Sequence, residues 1–428
     1  MPHPLLALAE AYDRVVPSTP GSTSFSAMMA GWLANDAPGE ALVGYAARYS
    51  VLTQTCQLGR HGILEEPQTD ALYGLLASSF WHAGILDDAY LASADGAGEE
   101  RDDDAARKRY WVHQSKFQEA KSGFDFGIVT PFVDGRLKVT LFQAKRPRSE
   151  GTWRELFLGQ VVRAGKEPAF PVDREALHQE LRDLNEKIAT AKKEGRPIGV
   201  FAERRNELKS LQGRWDKHSA ALAQKAAIAK IKGWIKIGTK PADIPRILGE
   251  DKEMWESALR CGPGSLFNKP YSYPQSDVFL ATALRGWVHP GAETLPRGWC
   301  HYVQWVNQRD GAPWSVPLEW ALATDGRAYR VSAPFAEILA AALSSYDDTT
   351  GLLLAHEDLD RFTGLVSDQL PSLVWGCVAN RRDIAYDLLY ACGVTQAEFS
   401  PALGDQVAPD LDDPDPDDGP AWAPPGLG

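Results

Sequence analysis

Apolar positions recur at helical intervals through the first ninety residues. Leu5, Leu6, Leu8 and Tyr12 mark one amphipathic stretch, and Leu72, Leu75, Leu76, Phe80 and Trp81 mark another, so residues 1–92 read as a helical region. The run from Ser18 to Ser24 interrupts it as a loop, and the polar stretch 93–106 reads as a linker or exposed loop. The period then changes. Phe124 to Val133 and Leu137 to Ala144 read as strands, and Asp134-Gly135 between them predicts a tight hairpin turn. Over residues 174–235 the steps return to three and four. Leu177, Leu181, Leu184, Ile188 and Ala191 form one heptad stripe, Phe201, Leu208, Leu211, Trp215 and Leu222 a second, and Glu194-Gly195-Arg196-Pro197 breaks the two runs. That pattern predicts an antiparallel, coiled-coil-like helical hairpin inserted in the fold. Beyond Pro241 the signals are mixed: Trp299 to Val306 reads as a strand, and Pro334–Ser345, His356–Ser372 and Arg381–Cys392 read as helices. The Asp/Pro/Gly-rich end is expected to be disordered.

Composition narrows the class. With 428 residues, 44% apolar and 24% charged, the chain is neither mainly disordered, nor collagen-like, nor a small disulfide scaffold. No apolar run approaches the ~18 residues of a membrane span, so no membrane association is expected. The N-terminus lacks a basic leader segment and reads as the start of a helix rather than a signal peptide. Five scattered cysteines form no C-x-x-C pair, which suggests neither a zinc site nor a disulfide framework. The expectation is a cytoplasmic protein with buried thiols. The net charge of −12 hides an asymmetry: residues 136–240 hold 24 Lys and Arg against 12 Asp and Glu, whereas the last 28 residues carry seven Asp and no basic residue. A basic middle in an acidic protein is the footprint of a face that meets a polyanion. A solvated helical arm is the plainer alternative.

Candidate chemistry concentrates in one segment. Glu119 ends a helical stretch, Asp125 starts a strand after Gly123, and the neighbouring strand ends in Gln143-Ala144-Lys145-Arg146. Residues 143 and 145 of a strand share a face, and antiparallel pairing across the turn brings them beside Asp125. Such a group suits hydrolysis of a phosphodiester, which needs a divalent ion to bind the non-bridging oxygen and activate water. Mg²⁺ prefers oxygen ligands, one or two carboxylates plus waters. Asp125 can serve as the central ligand, with the Gln143 amide oxygen and the Ala144 carbonyl completing the protein side. Glu119 can hold the metal's water shell or a second ion. Lys145 can orient the attacking water or stabilise the charge on phosphorus. Arg146 and Arg148 are candidates for backbone phosphates, and Gln160 for a further phosphate contact. Each has an ordinary alternative: a turn residue for Asp125, an exposed strand edge for Gln143 and Lys145, a surface position for the rest.

These residues resemble the PD-(D/E)xK nuclease superfamily, with its restriction-endonuclease-like fold. Asp125 followed by Gln143-x-Lys145, with Glu119 upstream, is similar to the Mrr-like branch, in which Gln stands in for the usual second acid; Gly-Phe-Asp-Phe-Gly-Ile and Phe-Gln-Ala-Lys-Arg share its local texture. The resemblance covers about residues 110–165, with the 299–306 strand as a later core strand. It implies a Mg²⁺-dependent endonuclease, with Mn²⁺ able to substitute, acting on DNA in bacterial restriction or anti-phage defence. The missing second carboxylate leaves one metal or two open.

The resulting expectation is an α/β protein: a mixed sheet flanked by helices, with a helical N-terminal region (1–92), a nuclease core (107–170, resuming over 241–400 with a C-terminal helical region), a hairpin insertion (171–240) and an acidic tail (401–428). DNA is the expected partner, with RNA, other defence-system subunits and a homo-oligomer left open. The competing readings are an inactive nucleic-acid-binding or scaffolding subunit that keeps the fold, and an unrelated α/β enzyme in which Gln-x-Lys is coincidental.

Overall fold

The computed structural model describes residues 3–16, 23–35, 38–58, 65–93, 109–113, 123–145, 156, 158, 173–249, 274–305, 313–326, 332–358 and 374–377. The chain divides into units 1–384 and 385–428, and all the described residues lie in the first. In chain order these residues form helices α1 (Pro4–Val15), α2 (Phe25–Ala34), α3 (Pro38–Leu58) and α4 (Glu65–Ser93), then strands β1 (Arg109–His113), β2 (Phe126–Pro131) and β3 (Leu137–Lys145). Helices α5 (Arg174–Lys193), α6 (Gly199–Lys236), α7 (Ile244–Gly249) and α8 (Gln275–Trp287) follow. Strands β4 (Glu293–Thr294), β5 (Cys300–Gln304) and β6 (Trp314–Pro317), helix α9 (Leu318–Ala323), strand β7 (Ala333–Pro334), helix α10 (Phe335–Leu343) and strands β8 (Leu352–Leu354) and β9 (Val374–Cys377) complete the set.

The sheet is mixed and runs β7-β6-β5-β3-β2-β1-β9, with β8 against the start of β3 and β4 against β8. The β2–β3 hairpin turns at Asp134-Gly135, where Gly135 has φ +86° and Asp134 accepts from Arg136. β3 is antiparallel to β2 but parallel to β5. All nine residues of β3 are buried, as an interior strand covered on both faces must be.

Alternation on β3 assigns the two faces. Leu137, Val139 and Leu141 join a core with Val278, Phe279, Leu280 and Leu284 of α8 and with Ile228, Ile231 and Ile235 of α6. On the other face Phe142 stacks on Phe126, and both meet Phe335 of α10. Lys138, fully buried, lies on that same side, and its Nζ donates to the carbonyls of Ala341 (2.6 Å) and Asp347 (2.8 Å). A cation there satisfies acceptors that the end of α10 leaves open. The N-terminal helices lie on this side: Arg48 of α3 pairs with Glu337 of α10 at 2.6 Å, and buried Glu40 accepts from Ser344 and Ser345. Helices therefore flank both faces of the sheet.

The helical hairpin is asymmetric. Leu177, Leu181, Leu184, Leu208 and Leu211 form a small core of their own, with Phe201 and Trp215 against it. Past Trp215 the second heptad stripe ends: Leu222 is 47% exposed. From Ala227 onward α6 turns a different stripe, Ala227, Ile228, Ile231 and Ile235, into the main core. The arm is thus α5 plus the first half of α6, while the second half of α6 is a core helix. Cys300 is buried, but Cys56 is exposed, contrary to the expectation of uniformly buried thiols. The second strand and the Pro334–Ser345 helix occur within a residue or two of expectation, whereas the first strand ends at Pro131, leaving Val133 60% exposed. Of the expected 356–372 helix, the described part is one 3-10 turn, His356–Asp358; the expected 381–392 helix and the acidic tail lie outside the described residues. Among the described residues no helix is long and apolar enough to cross a membrane.

Candidate active site

The candidate site forms where the ends of β3 and β5 meet the start of α8. In open α/β sheets ligands bind beyond the carboxyl ends of strands, where the connectivity changes direction; β3 is where antiparallel pairing gives way to parallel.

The hairpin register puts Phe126 opposite Phe142. Asp125 extends that ladder by one step, its N–H donating to the Phe142 carbonyl at 2.8 Å. Its carboxylate turns toward β3, where Oδ2 accepts from Gln143 Nε2 (2.7 Å) and from the Ala144 N–H (2.5 Å). Gln143 Nε2 also donates to the Ala144 carbonyl at 3.2 Å. Gln143 is fully buried, and its Oε1 has no hydrogen-bond partner among the described residues. Leaving a buried acceptor unsatisfied costs about 1–3 kcal/mol.

Lys145, 4% exposed, lies on the same face of β3 as Gln143, and its Nζ donates to Oε1 of Gln275, the first residue of α8. The exposed-edge alternative for this pair is therefore excluded. Two places further, Asp277 accepts from Lys232 of α6, which also donates to Ser276 Oγ at 3.1 Å. Gly123 lets this helix come close. It has φ +77°, and a Cβ there would lie 2.5 Å from the Phe279 backbone nitrogen, so only glycine fits both the dihedral and the space. Across β5, Tyr302 pairs with Gln143 and Gln304 with Lys145. Tyr302 packs edge-on against Phe279. Burial, and then the nearby charges of Asp277, Cys300 and Asp125, push its phenol far above the ordinary range.

The structure therefore brings Asp125, Gln143, Ala144 and Lys145 together. Glu119, Arg146, Arg148 and Gln160 lie outside the described residues. Among the described residues no group of three or more His, Cys, Asp or Glu converges as a metal cage; the described members of the expected ligand set are one carboxylate, an amide and a carbonyl. Sequence reasoning missed Gln275, Asp277, Lys232 and Tyr302. The detectable signal was Pro274-Gln275-Ser276-Asp277, a polar first turn ahead of the apolar run Val278–Leu280.

Two further titratable groups lie toward the other end of β5. His301, fully buried, has its imidazole pKa depressed to about 4 by burial, against the opposing hydrogen bond to the Gly298 carbonyl. Glu319, in the first turn of α9, packs its carboxyl over Gly298, and burial raises its pKa to about 7. Compared with known proteins, this sequence matches no family model, no curated protein and no solved structure.

Proposed function

We propose that this chain is a metal-dependent endonuclease that hydrolyses phosphodiester bonds of DNA, with a restriction-endonuclease-like core of the Mrr-like type. The observation that carries the reading is the buried Gln143 amide, held between Asp125 Oδ2 and the Ala144 carbonyl with its own oxygen unpartnered among the described residues. The two ends of an amide have the same shape. Turned by 180°, the Gln143 amide would put Oε1 beside the Asp125 carboxylate and the Ala144 carbonyl. Three oxygens would then converge, an arrangement repulsive on its own and favourable around a hard cation. The donor set thus fits Mg²⁺, with Mn²⁺ as a substitute. Such an ion supplies Lewis acidity at the non-bridging oxygen and a lowered pKa for its water. Asp125, Gln143 and Ala144 would hold it. Lys145, held by its hydrogen bond to Gln275 on the same face of β3 as Gln143, stabilises negative charge developing on phosphorus or orients the nucleophilic water.

The biological setting this reading carries is cytoplasmic restriction or anti-phage defence, alone, as a homo-oligomer or with other defence subunits. Plasmid, linear and single-stranded DNA, and RNA, incubated with the purified chain in Mg²⁺, Mn²⁺ or EDTA test it. Cation-dependent cleavage lost in Asp125→Asn supports it; no cleavage under any condition sinks it.

A second reading, an inactive nucleic-acid-binding or scaffolding subunit, is favoured by a different observation. Asp125 is occupied by Gln143 and Ala144, and Lys145 by Gln275, so the charged groups are satisfied without a metal. Binding without cleavage would select it.

A further inference from the structure

We propose that one face of the inner half of α6 is the track that holds the phosphate backbone of the nucleic acid, and that the projecting arm is not. This rests on the nucleic-acid reading above and specifies the surface it uses. The basic excess of the middle region is not where the arm is. Residues 174–216 carry ten Lys and Arg against eight Asp and Glu, and many of these pair locally: Arg174 with Asp216, Arg204 with Glu180 and Glu207, Arg196 with Glu194. Residues 217–240 carry six Lys and no acid.

Three of those lysines share a face. Lys225, Lys232 and Lys236 are spaced by seven and four, which at 3.6 residues per turn puts them within an arc of about 40°. The buried stripe Ile228, Ile231 and Ile235 runs alongside and fixes that orientation. The lysine face leads to the candidate site. Lys232 bonds Ser276 and Asp277 in the first turn of α8, the turn whose Gln275 receives Lys145. Lys236 reaches Asp325 at 2.6 Å, the two side chains being 46% and 72% exposed. An exposed pair of that kind is worth little, so a phosphate can displace the carboxylate. From Lys225 to Lys236 the helix rises about 16 Å, a length over which one DNA strand presents roughly five phosphates. A cationic track of this length is suited to a nucleic-acid backbone rather than to a single small anion.

The test uses the full chain and a fluorescein-labelled DNA duplex, with a single-stranded DNA and an RNA of the same length alongside. Anisotropy is read in EDTA, so that binding is scored independently of cleavage. The double variant Lys225→Gln/Lys236→Gln is expected to bind about tenfold more weakly at low salt. Its slope of log affinity against log salt should be shallower by about two, because each lost phosphate contact removes roughly 0.9. The arm variant Arg182→Gln/Lys187→Gln, with the same change of charge, should change neither. If the double variant melts early, Lys236→Gln alone, at an exposed position, should lower the slope by about one. Unchanged affinity and slope in natively melting Lys variants overturn the proposal, as does equal weakening by the arm variant. Either result leaves the nuclease reading standing if the wild-type chain cleaves. A wild-type chain that binds none of the three probes overturns this proposal, and overturns the nuclease reading as well if it also cleaves none of them in Mg²⁺ or Mn²⁺.

Discussion

The Lys145 ammonium ends on the amide oxygen of Gln275, 130 positions further along the chain and also buried. A buried lysine needs an acceptor, and the nature of this one matters. Gln275 is a neutral amide, so it satisfies a hydrogen bond of the ammonium without adding a charge of its own. The same contact ties the end of β3 to the start of α8, so geometry at the candidate site depends on how that helix docks.

Asp125→Asn and Lys145→Met are each expected to lower cleavage at least 100-fold. Asparagine keeps the size of Asp125 and removes the ligand charge. Methionine keeps the apolar stem of Lys145 and costs about 1–3 kcal/mol for the acceptor left on Gln275. Thermal melting should therefore remain cooperative in both. A variant that cleaves like wild type removes its residue from the site.

Gln143→Glu should behave differently with and without metal. The substitution sets a second carboxylate against Asp125 where an amide donates now. Like charges at that distance raise one pKa and destabilise the ionised pair. In EDTA the melting temperature is expected to fall as pH rises from about 5 to 8; millimolar Mg²⁺ should restore it by more than it shifts wild type. A variant whose melting ignores Mg²⁺ argues against an ion between residues 125 and 143.

The local geometry was legible in the sequence because hairpin pairing and the two-residue period of a strand are short-range rules. Asp134-Gly135 fixed the register, and the register fixed Asp125 beside Gln143. What was not legible came from long-range packing. Gln275 reaches Lys145 through a parallel crossover, which leaves no periodic mark. The division of α6 was hidden for a related reason: Leu222 continues the heptad count of the arm, yet it stands where the helix exchanges one buried face for another. Lys138 gave no signal either, since a lysine on a strand reads as exposed until the end of α10 supplies carbonyls for it.

That division of α6 predicts which parts of the hairpin can be removed. Replacing residues 182–210 with a short Gly/Ser linker removes the outer arm and leaves Ile228, Ile231 and Ile235 in the main core. The trimmed chain should melt cooperatively and keep the salt slope of DNA binding. Replacing all of 174–235 also deletes those three isoleucines, each worth about 1.5–3 kcal/mol when buried, and should give a chain that does not fold cooperatively. Limited proteolysis and calorimetry distinguish the two.

Gly123→Ala is expected to damage the site without touching any of its polar atoms. The new Cβ would stand 2.5 Å from the Phe279 nitrogen at a φ of +77°, so either the loop or α8 must move. Strain of this kind costs about 1–3 kcal/mol, and the melting temperature should fall accordingly. Since Asp125 follows two residues later and Gln275 starts the displaced helix, cleavage should fall by more than the loss of folded protein explains. Activity normalised to folded fraction is the measurement; a value equal to wild type refutes the coupling.

His301 and Glu319 should oppose each other in the pH dependence of stability. The imidazole has a native pKa of about 4 against 6.5 when unfolded, so between those values the unfolded chain binds more protons and stability rises with pH. The Glu319 carboxyl has a native pKa of about 7 against 4.5, so between those values the native chain binds more protons and stability falls as pH rises. The two windows overlap from about 4.5 to 6.5, where the contributions oppose each other. At 1.36 kcal/mol per pKa unit the ceiling is about 3 kcal/mol for fully buried His301 and, after a discount for partial exposure, about 2 kcal/mol for Glu319. Single substitutions should unmask each partner. Relative to wild type, Glu319→Gln should gain stability as pH rises from about 4.5 to 7, because the cost of ionising the buried carboxyl is gone. His301→Gln should gain stability as pH falls from about 6.5 to 4, because the buried imidazole no longer resists protonation. Chemical denaturation across this range gives both difference curves. Parallel curves for wild type and either variant would mean that the substituted group titrates as it does in the unfolded chain.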